Sequence, residues 1–180
     1  MYQQTSISVQ IKGSVPYLMN RFAIDVGGPK PGKPDYKKEV VAKLYKSDTD
    51  GLLYVPSSQI HGCLIEAGKQ FKTKGKGTYS KILGAFILIE PAELALIPQI
   101  WTADERPVVV NKARVLRYRP KWEAGWLLSF SLNILDDSIQ PSIVKNILDH
   151  AGNFTGIGDF RPSKGGPFGR FIVTEYKEQT

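Results

Sequence analysis

Between residues 156 and 170 the chain reads Gly-Ile-Gly-Asp-Phe-Arg-Pro-Ser-Lys-Gly-Gly-Pro-Phe-Gly-Arg. Neither a helix nor a strand ladder runs through such a segment. Proline removes a backbone donor, and glycine pays the largest entropy cost on ordering. The segment must therefore be a long loop, and its neighbours show what it joins. Upstream, Pro141 suits the first position of a helix. Ile143, Val144, Ile147 and Leu148 then give that helix one apolar side, and Gly152 is placed to end it. Downstream, Phe171 to Tyr176 reads as a closing strand.

The rest of the chain is fitted around that helix, loop and strand. Residues 6 to 12 alternate with period two, so Ile7, Val9 and Ile11 face a core from a first strand. The run Gly27 to Pro34 excludes regular structure. Asp35 is placed to cap a short helix whose apolar side is Val40, Val41, Leu44 and Tyr45. Thr49-Asp50-Gly51 reads as a turn into a short strand, Leu52 to Val55. A serine-capped helix then starts at Pro56-Ser57-Ser58, with Ile60, Leu64, Ala67 and Phe71 as its stripe. Gly68 and the run Lys72 to Gly77 end it. Residues 82 to 97 read as one or two strands interrupted by Pro91. Val108 to Arg119 and Trp126 to Leu135 read as the two strands of a hairpin turning through 119 to 125. Trp126, Leu128, Phe130, Leu132 and Ile134 share one face of its second strand.

Trimmed of extras, this order is β-α-β-β-α-β. It predicts an α+β, ferredoxin-like (RRM-like) fold with an antiparallel sheet. The expected organisation is one domain over residues 1–180, with residues 20–50 inserted after the first strand.

Composition limits what such a domain does. With 42% hydrophobic and 23% charged residues, 180 residues bury an ordinary core. A single cysteine, Cys63, excludes an internal disulfide and suits a reducing cytoplasm, the expected location. No apolar run approaches the ~20 residues of a membrane span. The two histidines and one cysteine make no metal-ligand set, and no cofactor motif occurs. The formal net charge of +7 favours a polyanionic partner. Its cations gather in residues 30–46, 69–81, 112–121 and 161–170.

Three segments carry the chemistry. In the loop, Gly156, Gly158, Gly165, Gly166 and Gly169 are interleaved with Arg161, Lys164 and Arg170. Backbone N–H groups in such loops form concave anion sites, and the cations add charge-assisted contacts to phosphate. Phe160 and Phe168 are placed to stack on bases. The alternative is a glycine-rich turn packed tightly against the sheet. The second segment is the helix start. There Ser57 and Ser58 present hydroxyls and free N–H groups to an anion, and Gly62 suggests close approach of another group; capping and packing are the alternative. The third is the basic hairpin. Lys112, Arg114, Arg117, Arg119 and Lys121 mix with Tyr118, Trp122 and Trp126, with Arg117 and Arg119 on one face.

Val55-Pro56-Ser57-Ser58-Gln59-Ile60-His61-Gly62, preceded by Thr49 to Tyr54, resembles the phrase that opens the first helix in the RAMP superfamily of CRISPR-associated proteins. The glycine that usually precedes the serines is missing. Gly156 to Gly169 resembles the Gly-rich loop that precedes that family's last strand, with longer spacing than the processing nucleases have. The resemblance implies a backbone subunit of a CRISPR effector complex, coating a guide RNA as part of antiviral defence and meeting copies of itself or other subunits. It implies RNA contacts at Ser57, Ser58 and His61, and at Gly156, Gly158, Arg161, Lys164, Gly166 and Gly169. Together with the cationic turn Lys72, Lys74 and Lys76, the hairpin's Arg117 and Arg119, and Arg170, these form the candidate nucleic-acid-binding set. Single-stranded RNA is the expected partner, DNA is an alternative, and no membrane is expected. His61 stands where many relatives carry lysine. The resemblance also raises two catalytic candidates. Some backbone subunits cleave target RNA with an aspartate after the first strand, where Asp25 lies and Asp35 is a second choice. The processing endonucleases use a histidine as general acid/base, for which His61 sits on the right helix. His150 is expected instead to interact with the dipole at the end of the second helix. An endoribonuclease and a protein-interaction module of a mobile element remain alternative readings.

Overall fold

A computed structural model describes residues 4–22, 36–110 and 112–179. Four strands form the central antiparallel sheet. They are β1 (Thr5–Gly13), β4 (Ile87–Glu90), β8 (Leu127–Ile134) and β9 (Phe171–Glu178), in the order β4-β8-β1-β9. Helices α2 (Ser57–Gly68) and α4 (Pro141–His150) connect them in the β-α-β-β-α-β order. The fold is α+β and ferredoxin-like.

The sheet follows from the period-two pattern. Val9 pairs with Phe130, and Ile11 with Leu128. These side chains are buried together with Ile7, Leu132 and Ile134. The helices cover them with Ile60, Leu64 and Ala67 from α2 and Val144, Ile147 and Leu148 from α4. Each fully buried aliphatic side chain contributes about 1.5–3 kcal/mol. The opposite face of the sheet is polar. Gln10 donates to Ser129 at 3.3 Å, and Thr174 donates to Gln10 at 3.2 Å. Asn133 is buried on that side and donates to Glu90 at 2.7 Å.

Several elements differ from the expectations. The strand containing Val108 to Arg119 does not pair with Trp126 to Leu135. Instead β6 (Thr102–Val110) pairs with β7 (Ala113–Trp122), turning at Lys112, whose φ is 66°. β7 extends through 119–122 and pairs with β2 (Tyr17–Leu18), making a second, three-stranded sheet. Residues 123–126 connect two sheets rather than two paired strands. The predicted apolar face of β8 is right, since Trp126 and Leu128 are fully buried and Phe130 is 5% exposed.

The apolar run from Ile82 begins in a helix, α3 (Tyr79–Phe86), before β4. A short β5 (Glu93–Ala95) follows and pairs with β3 (Tyr54–Pro56). Between β2 and β3, α1 (Tyr36–Ala42) buries Val40 but leaves Val41 exposed. Asp25 and Asp35 lie outside the described residues.

Gly152 does not end the second helix. The chain continues through a π-helical turn, Ala151–Thr155, and leaves the helix at Gly156 with φ of 69°. The glycine serves close approach instead: a Cβ there meets the Phe171 carbonyl oxygen at 2.2 Å. The π turn thereby lies directly against β9 and delivers the glycine-rich loop beside α2.

Candidate functional site

A cavity of about 340 Å3 lies where the start of α2 meets the glycine-rich loop. Ser58, Gln59, Gly62, Cys63 and Glu66 line it from the helix. Thr155 to Asp159 and Arg161 line it from the loop, and Asn20 closes one side. The two segments separated by about a hundred residues in the sequence thus form two walls of one groove.

Helical geometry decides which α2 residues reach it. At 3.6 residues per turn, positions 58, 59, 62, 63 and 66 share one face. Ser57 and His61 fall outside that face. The Ser57 N–H donates to the Ala92 carbonyl at 2.9 Å, and neither serine side chain caps the helix, whose N-cap is Pro56. His61 Nε2 lies 3.3 Å from the Leu83 carbonyl of α3. The structure therefore brings Ser58 into the groove and turns His61 away from it. Gly62 is exposed, and a Cβ added there meets nothing within 4 Å, so packing within the chain does not require a glycine at this position.

The loop is ordered by its own backbone. The N–H groups of Gly156, Ile157 and Asp159 donate to Ala151, Gly169 and Leu18, at 2.8, 3.0 and 2.9 Å. Those of Gly165, Gly166, Phe168 and Gly169 donate to Pro162, Arg161, Phe160 and Pro16. Gly166 and Gly169 are required by close approach, since a Cβ at either meets a carbonyl oxygen at 1.8 Å, that of Phe160 or Ile157. The tight-turn alternative thus accounts for these two. Most loop amides are committed inside the chain, so this wall offers side-chain donors rather than a nest of N–H groups.

The groove's charges are arranged in pairs. Arg119 of β7 forms an ion pair with Asp159. Asn20 Nδ2 donates to the same carboxylate at 3.2 Å. Lys69 contacts Glu66 at 2.7 Å and holds the Glu66 carboxyl below its ordinary range. Arg161 Nη1 donates to the Gly158 carbonyl at 3.1 Å, one of the five donors a guanidinium carries. Lys164 is exposed beside it on a short 3-10 turn. With its two carboxylates countered by Arg119 and Lys69, the groove is left with the cationic Arg161 on its wall, and Lys164 is exposed close by. Burial pushes the Cys63 thiol up to about 12, so it is a neutral, unreactive part of the floor. Burial likewise raises Tyr17, whose hydroxyl donates to Gln59 at 3.2 Å and fixes that side chain at the groove.

The remaining candidates are placed elsewhere. Arg117 sits on β7, 3.6 Å from Glu39, which also binds Lys43 at 2.7 Å. Lys72, Lys74 and Lys76 lie on a turn closed by a Lys72–Thr78 bridge and a Thr73–Gly77 hydrogen bond, and all three are exposed. Arg170 is exposed just before β9. Phe168 is 8% exposed, and the Arg106 guanidinium lies 4.6 Å from its ring centre and 5.7 Å from that of Phe160. Asp104 holds Arg106 through bonds of 2.6 and 2.8 Å. These rings clamp the β6–β7 hairpin onto the loop. His150 is the last residue of α4, from which the chain runs on into the π turn. Its ring packs between Phe71 and Phe154, with centroids 5.4 and 4.7 Å away. Asn20 and Asp159 were missed from the sequence; only their neighbourhood to the first strand and to the glycines signalled them. Among the described residues no cluster of His, Cys, Asp and Glu forms a metal site, and no helix is long and apolar enough to cross a membrane.

No family model and no curated protein matches the chain. Among solved structures it is similar to a chain in the cryo-EM structure of the Type III-B Cmr-beta bound to cognate target RNA, at 12% sequence identity and a TM-score of 0.63. The similarity covers 98% of this chain and 61% of that one, so this chain spans about three fifths of its neighbour's length. The likeness is one of fold: the β-α-β-β-α-β core described above recurs in a chain of that assembly.

Proposed function

We propose that this chain is a CRISPR-associated RNA-binding subunit of the RAMP type that coats a guide RNA as part of an effector backbone. One observation carries the reading: Ser58, Gln59 and Gly62 face Gly156, Gly158 and Arg161 across a single open groove. The fold likeness to a chain of an RNA-bound CRISPR assembly supports it. So does the surplus of seven positive charges.

In this reading the RNA backbone lies in the groove. The N–H groups of Ser58 and Gln59 in the first turn of α2 lack intrahelical partners and, with the Ser58 hydroxyl, donate to phosphate oxygens. Arg161 and Lys164 neutralise phosphates from the loop side, and Lys72, Lys74, Lys76, Arg117, Arg119 and Arg170 extend the positive field. Such contacts read no sequence, which the guide supplies. The whole chain acts as one domain, with residues 20–50 as its insertion, and meets copies of itself or other subunits along the strand. His61 lies on the flank of α2 opposite the groove, and no observation favours the endoribonuclease reading.

The test is the salt dependence of binding to labelled single-stranded RNA, with single-stranded DNA alongside. Counterion release demands that log K fall linearly with log salt, at about 0.7 per phosphate contacted. Undetectable or salt-insensitive binding to both polymers overturns the proposal.

A further inference from the structure

Phe154 is the aromatic residue that the groove leaves unexplained. It is 64% exposed, on the π-helical turn that precedes the glycine-rich loop. Its chain neighbour Thr155 lines the groove, so Phe154 is one residue along the chain from the groove's lining. The ring is not loose. It packs at 4.7 Å on His150, which packs at 5.4 Å on Phe71. Phe71 is anchored against the core and is followed directly by Lys72 of the cationic turn. Three rings in a row therefore link the π turn, which adjoins the groove's lining, to the turn that carries Lys72, Lys74 and Lys76.

Two further observations concern how this row is held. The π turn is fixed to α2 through the Cys63 thiol, 3.7 Å from the Ala151 carbonyl, and to β9 through Gly152. Asn153 Nδ2 donates back to the Asp149 carbonyl at 2.9 Å, which ties the turn to α4. π turns inside helices concentrate at functional sites. An exposed ring held in place by its support meets a base with little ordering cost, and stacking on an aromatic ring tolerates any base. Phe160 and Phe168, the rings flagged by sequence, are instead engaged by Arg106.

We propose that Phe154 is a base-stacking platform for single-stranded RNA leaving the groove, backed by His150 and Phe71 and flanked by the lysine turn. This inference rests on the RNA-binding reading above and adds a base contact to a site otherwise built for phosphates.

The test compares wild type, Phe154→Ala and Phe154→Tyr on labelled oligoadenylate and on the same strand carrying abasic positions. Wild type is expected to prefer the base-bearing strand, and Phe154→Ala to lose about tenfold in affinity for it with the salt slope unchanged. Phe154→Ala is expected to bind the abasic strand as wild type does, and Phe154→Tyr, which keeps the ring, to retain the preference. Equal binding of both strands by wild type, or undiminished binding of oligoadenylate by Phe154→Ala, overturns the platform while leaving salt-dependent binding intact. Absence of any binding by wild type overturns the RNA-binding reading and the platform together.

Discussion

The guanidinium of Arg119 on β7 is ion-paired with the carboxylate of Asp159 on the glycine-rich loop, joining the second sheet to the groove wall. Both side chains are more than two thirds buried, so removing one strands the other. Arg119→Ala and Asp159→Ala are each expected to cost about 1–3 kcal/mol in urea unfolding. The double variant is expected to cost less than the sum. Full additivity shows that the pair does not couple the two parts.

Glycine substitutions separate the glycines that packing requires from one that it does not. Gly169→Ala and Gly166→Ala drive a methyl into a carbonyl oxygen and are expected to lower the melting temperature sharply. Gly62→Ala meets open space inside a helix and is expected to stabilise the free protein by about 0.5–1 kcal/mol. On the groove reading it also weakens RNA binding. A stabilised variant with full affinity indicates that RNA does not approach α2 there.

His61→Ala is expected to leave RNA affinity within about twofold of wild type, because the ring addresses the Leu83 carbonyl and not the groove. Its effect belongs in stability, at about 1 kcal/mol for one lost hydrogen bond. Arg161→Ala is the contrasting variant. Losing one phosphate contact is expected to lower the salt slope by about 0.7. Parallel salt titrations of the two variants read both outcomes.

The buried Cys63 thiol gives a pH dependence of known sign. It stays neutral in the folded chain up to about 12, while the unfolded thiol ionises near its ordinary value of 9.0. Above that value the unfolded state releases the proton first, so stability falls as pH rises from about 9 to about 12. Tyr17 and Tyr176, also raised by burial, act in the same direction. Cys63→Ala is expected to flatten part of that decline in unfolding curves across this range. An identical decline in both proteins assigns the effect to the tyrosines alone.

The sheet was legible where burial imposes a strict period, as in Ile7-Val9-Ile11 and Leu128-Phe130-Leu132. It was not legible where several structures satisfy one pattern. The run Ile82 to Ile89 is apolar on all sides, which fits a helix end as well as a strand, and the chain uses both. The pairing of β7 depends on partners that no local signal names. In the site, the serine-led helix and the glycine loop were readable as segments, but their sides were not. Ser58 and His61 differ by three positions, enough to put one in the groove and the other against α3. Gly152 carried the signature of a helix stop, yet its missing side chain makes room for β9.

The polar outer face of the central sheet bears on how any strand of RNA lies on the protein. RRM-type sheets hold bases on aromatic rings that project from their central strands. Here Ser8, Gln10, Ser129 and Ser131 occupy those positions and hydrogen-bond among themselves or meet solvent. The described strands therefore offer bases no aromatic ring on that flank, and on the proposed RNA-binding reading a strand of RNA lies on the helical side.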